Sequence, residues 1–205
     1  MSSKEFPQLA SQAQSGDQAS LKRLLFLAHT PVSYQCRKLL QNKQAATNMT
    51  KEILQKIHSH LHTLNQPELF EKWLGHMTAK HCMRALRQGT VKQDPPPQKL
   101  DIPNSHLDEQ ETAMVADQIV DALPDDLRIC IILYCCCKIP VSGISRLTSF
   151  AESDVKANLS RGQAMIKGQL QKLHRQGVQF APVASLPGLL QTAMHASGNS
   201  KAATA

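Results

Sequence analysis

The stretch Ala122-Leu123-Pro124-Asp125-Asp126-Leu127-Arg128 opens a run to Leu173 whose reading decides the fold. Within it, Ile144-Ser145-Arg146-Leu147, a short polar break and Val155-Lys156-Ala157-Asn158-Leu159 carry apolar residues three and four apart. Two helices around a tight break predict a helix-turn-helix, the second helix being the one that enters a DNA groove. Ser149 and Glu152 stand at capping-box spacing ahead of Val155 and predict where that helix starts. Its predicted outward positions, Lys156, Asn158, Arg161, Gln163, Lys167 and Lys172, are side chains able to contact phosphates or base edges.

Outward from this run the helical period continues in both directions. Met114, Ile119 and Leu123 precede Pro124, and Leu127, Cys130, Ile131 and Leu133 follow it. Near the N-terminus, Leu21, Leu24, Leu25 and Ala28 form a stripe that Pro31 is expected to stop, and Val32, Cys36, Leu39 and Leu40 form another. Met49, Ile53, Ile57, Leu61 and Leu64 then follow, and Phe70, Trp73, Leu74 and Met77 lead into Lys80-His81-Cys82-Met83-Arg84-Ala85-Leu86-Arg87. No alternating strand pattern of useful length occurs, so the expected fold class is all-α, built as two small helical domains.

The segment 88–112 holds Pro95-Pro96-Pro97 and Pro103 with scattered charges and no apolar period, which predicts a linker. It separates a domain at 1–87 from one at 113–177, each near the lower size for an independent core. Asp108, Glu109 and Glu111 read as the soluble end of that linker. Gly177 is expected to end the last long helix. A tail at 178–205 follows, with a short amphipathic helical turn over Leu186 to Met194 and a disordered composition from Ser197 onward.

Composition narrows the function. Over 205 residues, 23 Lys and Arg against 16 Asp and Glu give a net charge of +7, which suits a polyanionic partner. Aromatics make up only 4%, which weakens a base-stacking platform of the single-strand-binding type. No apolar run reaches membrane-spanning length and the N-terminus has no signal-peptide core, so a cytoplasmic protein is expected. The six cysteines show no paired C-x-x-C spacing, which argues against zinc and for buried free thiols. Oxidant sensing by Cys135-Cys136-Cys137 is the alternative. No nucleophile-base set, phosphate loop or carboxylate pair stands out, so neither catalysis nor a cofactor is expected.

The Phe70-x-x-Trp73-Leu74 helix ending in Leu86-Arg87, paired with Ala122-Leu123-Pro124-x-x-x-Arg128 and its helix-turn-helix, resembles a known family. It is similar to the extracytoplasmic-function (ECF) sigma factors of bacterial RNA polymerase. Gly16-Asp17-Gln18-Ala19-Ser20-Leu21 fits the first helix of that family's promoter-opening domain, and the resemblance runs to about residue 175. It implies partners: core RNA polymerase, promoter DNA and an anti-sigma factor. Thr50, Lys51, Glu52 and Ile53 would lie on the polymerase-docking helix. Trp73, Lys80, His81, Arg84 and Arg87 would engage the −10 element. Ser153, Asp154, Lys156, Ala157, Asn158 and Arg161 would read the −35 element.

Several positions depart from the family pattern. The docking helix has Ala45, Thr47, Asn48 and Lys51 where acidic residues and a glutamine are usual. Lys80 and Arg84 replace an asparagine and an aspartate, Ser153-Asp154 replaces Gly-Thr, and Lys138 replaces a glycine. The thin acidic docking helix leaves an alternative of a different class, a sigma-like decoy that binds an anti-sigma factor without initiating transcription. Other residues have plainer readings. Trp73 shares the stripe of Phe70, Leu74 and Met77, so it reads as core beside its possible stacking on an unpaired base. His58, His60 and His62 read as surface residues, with no partners at ligand spacing.

Overall fold

The computed structural model describes residues 5–94, 100–102, 105–182 and 186–199. Its described residues are mostly helical, with a longer non-helical connection between Arg87 and Glu109 and one isolated bridge. In chain order the helices are α1 (Phe6–Gln14), α2 (Gln18–Leu40), α3 (Lys43–His60), α4 (Phe70–Arg87), α5 (Glu109–Asp121), α6 (Asp125–Cys135), α7 (Val141–Thr148), α8 (Glu152–Arg175) and α9 (Leu186–Asn199). None of them is long and apolar enough to cross a membrane. The chain divides into two compact units, Met1–Gln93 with Cys137–Ile139, and Asp94–Cys136 with Pro140–Ala205.

In the first unit α2 is the central element, against which α1, α3 and α4 pack. Asp17 starts it: the carboxylate accepts from the backbone N–H of Ala19 and Ser20 at 3.1 and 3.2 Å. The Ser20 hydroxyl and those two amides hold the Asp17 carboxyl below its ordinary range. Pro31 does not stop α2, contrary to expectation; the helix runs through it. Proline removes only one backbone donor, and the apolar residues before it (Leu21, Leu24, Ala28) and after it (Val32, Cys36, Leu39) are buried in one core. That shared burial offsets the loss. Ile53, Ile57, Leu61 and Leu64 close the core from α3 and the turn after it, and Phe70 and Leu74 from α4.

In the second unit Ile129 to Leu133 of α6 are all buried, so this stretch of the helix is covered on every side. α8 lies close against it at Gly162, where a Cβ would stand 3.0 Å from Ile131 Cγ1. Met114 faces outward, with Ala113, Val115, Ala116, Ile119 and Val120 supplying the buried side of α5. The segment expected to be linker is folded from Leu107 onward. Asp108 caps α5 in a capping box: its carboxylate accepts from Glu111 N–H at 2.8 Å, and the Glu111 carboxylate accepts from Asp108 N–H at 3.0 Å. The acidic cluster is therefore a helix start. The prolines 95–97 and 103 lie outside the described residues.

The tail is also part of this unit. Gly177, at φ +96°, ends α8 and turns the chain back. Leu107 N–H donates to Gln179 O at 2.9 Å, Gln179 N–H to Ser105 O at 2.7 Å, and Ala181 N–H to Thr112 Oγ1 at 3.2 Å. Then α9, 14 residues long and reaching Asn199, lays Leu189 and Ala193 on Ala113 and Ala116 of α5, with Leu190 and Met194 buried beside them. Residues 200–205 lie outside the described part.

Candidate nucleic-acid interface

Three residues, Ser149-Phe150-Ala151, separate α7 from α8. Ser149 takes φ +67°, the left-handed conformation that closes α7, and its N–H donates to Ser145 O at 2.8 Å. Hydroxyls staple the turn: Ser145 Oγ donates to Phe150 O at 2.7 Å, and Thr148 Oγ1 accepts from Phe150 N–H at 3.3 Å. Ser149 is thus spent on the end of α7, and α8 starts at Ala151 without a side-chain cap; the expected capping box does not form. Glu152 and Asp154 in the first turn still suit the positive end of the helix dipole. Lys138 adopts φ +56°, a left-handed position, where the resembled family carries glycine.

Along α8 the buried residues are Val155, Asn158, Leu159, Gly162, Ile166 and Leu173. Ser153, Asp154, Lys156, Ala157 and Arg161 are exposed, as are Gln163, Lys167 and Lys172. Asn158 is not an outward residue. Its side-chain N–H points at Cys130 Sγ, 3.9 Å away, and its oxygen accepts from Arg161 Nη2 at 2.8 Å. It lies one helical turn from Val155 and Gly162, on the face that meets α6, so its side chain is directed inward at Cys130 and at Arg161.

In the first unit, α4 places Trp73, Met77, Lys80, Arg84 and Arg87 at steps of four, three, four and three on one side. Lys80, Arg84 and Arg87 are exposed, while Trp73 and His81 are half-buried. Trp73 is in part the core residue its stripe predicts. One side of its ring meets the buried Phe70 ring, 5.8 Å between centroids, and the residue also lines a cleft of about 280 Å³. Lys56, His60 and Thr63 form one wall; Trp73, His76, Met77, Lys80 and His81 form the other. Three imidazoles, two ammonium groups and an indole face suit a flat, electron-rich ring next to an anion. Lys56, His60 and His76 are not marked as site residues by the sequence, although Lys56 and His60 stand one turn apart beside the buried Ile53–Ile57 stripe.

His81 is held below its ordinary value of 6.5 first by burial and then by Lys56, with Glu52 at 3.5 Å opposing. The unfolded chain therefore takes up this proton at a higher pH than the folded one. His81 contributes stability above pH 6.5 that is lost as the pH falls below it. In melting curves across that window, His81→Gln is expected to flatten the acid-side fall of Tm; an unchanged slope would rule this role out.

Thr50 and Ile53 are buried, so half of the expected docking set faces the core. Thr50 Oγ1 donates to Ala46 O at 2.7 Å inside the helix. Lys51 and Glu52 are exposed. Glu52, the one acid of α3, stands 3.6 Å from Lys56 and 3.5 Å from His81.

Charge is distributed unevenly along the chain. Residues 1–93 hold 13 Lys and Arg against 5 Asp and Glu, a net +8, and 94–205 hold 10 against 11, a net −1. Within the second part, 94–126 hold 9 acids and one lysine, whereas 141–175 hold 6 bases and 2 acids. The helix-turn-helix is the basic part of an otherwise acidic half. Burial pushes the Cys135 thiol up to about 11 and Cys137 higher still, so these residues are poor thiolates and poor oxidant sensors. Among the described residues no three His, Cys, Asp or Glu side chains gather as a metal site. No protein-family model matches the chain, and no curated protein matches it.

Proposed function

We propose that this protein is a transcription initiation factor of the ECF sigma type, which directs core RNA polymerase to promoters. The observation that carries the reading is the stapled turn between α7 and α8, with Lys156, Arg161 and Lys167 exposed on the second helix. That is the arrangement in which a recognition helix meets duplex DNA through phosphates and base edges. The −35 duplex is read from the first turns of α8, by Ser153, Asp154, Lys156, Ala157 and Arg161. The −10 strand is engaged by Lys80, Arg84 and Arg87, with an unpaired base entering the cleft against Trp73. The chain catalyses nothing itself and uses no cofactor.

Duplex binding tests the DNA-reading half. Replacing Lys156, Arg161 and Lys167 together by glutamine is expected to lower the salt slope of binding by about 2 to 3, near 0.9 for each phosphate that is no longer neutralised. Lys156 and Lys167 are exposed, and Arg161 gives up only its bond to Asn158. Lys156→Gln with Lys167→Gln, unchanged by circular dichroism, is therefore the control and should lower the slope by about 1 to 2 by itself. An unaltered slope would place the duplex-binding surface elsewhere.

A second reading is favoured by α3. Its only acid is occupied by Lys56 and His81, so the outer side of the helix presents the exposed Lys51 and no carboxylate that is not already engaged. A chain with such a helix would serve as a decoy that captures an anti-sigma factor. A pull-down separates the two readings, since the decoy retains an anti-sigma partner and no polymerase subunits.

A further inference from the structure

We propose that the outward face of α2 is a contact surface for single-stranded nucleic acid, with phosphates on Lys22, Arg23 and Arg37 and a base stacked on Phe26. Promoter reading by α4 and α8 makes no use of this face, so the two proposals stand or fall separately.

Phe26 is 70% exposed, the most exposed large apolar side chain among the described residues. It contributes nothing to the core, which α2 completes from its other side with Leu21, Leu24, Ala28 and Val32. At 100° per residue, Lys22, Phe26, His29 and Arg37 fall within about 60° of one line along the helix, a strip about 22 Å long. All four are exposed. Arg23 lies beside the strip, its guanidinium 5.8 Å from the Phe26 ring centroid and 3.6 Å from Glu5.

Glu5 is the acid that meets this face, on Arg23, and Lys22 and Arg37 are its other exposed cations. Between Asp17 and Glu52 there is no Asp or Glu, whereas there are six Lys and Arg. Lys22, Arg23 and Arg37 along a helix face with an exposed aromatic ring complement a polyanion that also carries flat rings. An acidic peptide would match the charge and leave the ring unused. Duplex DNA keeps its base faces stacked inside, so Phe26 could reach none of them. Single strands offer both groups at once, and stacking on an aromatic side chain tolerates any base.

Fluorescence anisotropy of the full chain with labelled oligothymidylate and oligouridylate, at several salt concentrations, tests this. Phe26→Ala is expected to weaken binding about tenfold or more, and Phe26→Tyr to retain it. Arg37→Gln should lower the salt slope by about 0.7, as for one single-strand phosphate. The Phe26→Ala loss should persist in a Lys80→Gln, Arg84→Gln background, which separates this face from α4. Comparable losses on both oligomers mean that the face accepts either sugar, and a loss on one alone names the ligand. Unchanged affinity of Phe26→Ala for both oligomers would overturn the proposal. So would equal dependence on Phe26 for a duplex, or for polyglutamate, the latter pointing to an acidic protein.

Discussion

Removing residues 178–205 is expected to unfold the second unit, and Leu190→Ala alone to destabilise it by about 3 kcal/mol. Leu190 is wholly buried in α9, and its neighbours Leu189 and Ala193 cover Ala113 and Ala116 of α5. Truncation to alanine would leave a cavity where the helix meets the rest of the unit. Deletion goes further: it uncovers the apolar side of α5 and removes the Gln179 bonds to Leu107 and Ser105. Amide hydrogen exchange measures this unit by unit. Protection at Ile119, Val120 and Ile131 should collapse in the deletion, while Val32 and Ile53 of the first unit keep theirs. Unchanged protection across α5 and α6 would show that α9 is dispensable. A truncated chain that loses activity would therefore report lost folding before any regulation by the tail.

Arg128→Ala is the second large effect, about 3 kcal/mol against the same unit, from the loss of a large buried side chain. Arg128 is among the largest fully buried side chains, and its guanidinium donates to the Asp125 carboxylate one turn earlier. The change removes a long aliphatic stem from a filled core and releases Asp125, itself half-exposed and able to turn to water. Arg128→Met keeps most of the volume and should recover more than half of the loss. Urea unfolding followed by the circular dichroism of the second unit's helices distinguishes the two variants. Equal stability of Arg128→Ala and the wild type would mean that the arginine is not a structural residue.

Arg128 also illustrates what is legible in the sequence. The Ala-Leu-Pro-x-x-x-Arg pattern locates α6 and the helix-turn-helix after it, because a capless proline start and a period of 3.6 are local properties. Whether its arginine lies inside or outside depends on what covers the helix, which is not local. Asn158 departs from its sequence expectation for the same reason. A polar residue at an i, i+3 step from Val155 looks outward until α6 is placed on that side. Pro31 departs in the other direction, and the helical turn expected over Leu186 to Met194 extends to Asn199. Proline is a strong local breaker, yet burial on both sides of Pro31 outweighs it, and the packing of Leu189 and Ala193 on Ala113 and Ala116 is a tertiary fact that the short amphipathic period does not show. In the cleft, Trp73, Lys80 and His81 are singled out only by the resemblance. Lys56, His60 and His76 are not, because pairing α3 with α4 is a tertiary fact.

The most direct test of initiation is run-off transcription with core RNA polymerase on a pool of random promoter fragments, with sequencing of the templates that yield transcripts. The expected result is a shared −10 and −35 pattern among those templates, abolished when Lys156, Arg161 and Lys167 are replaced by glutamine. Absence of any enriched template, from a chain that binds duplex DNA and fails to co-purify with core polymerase, would contradict it.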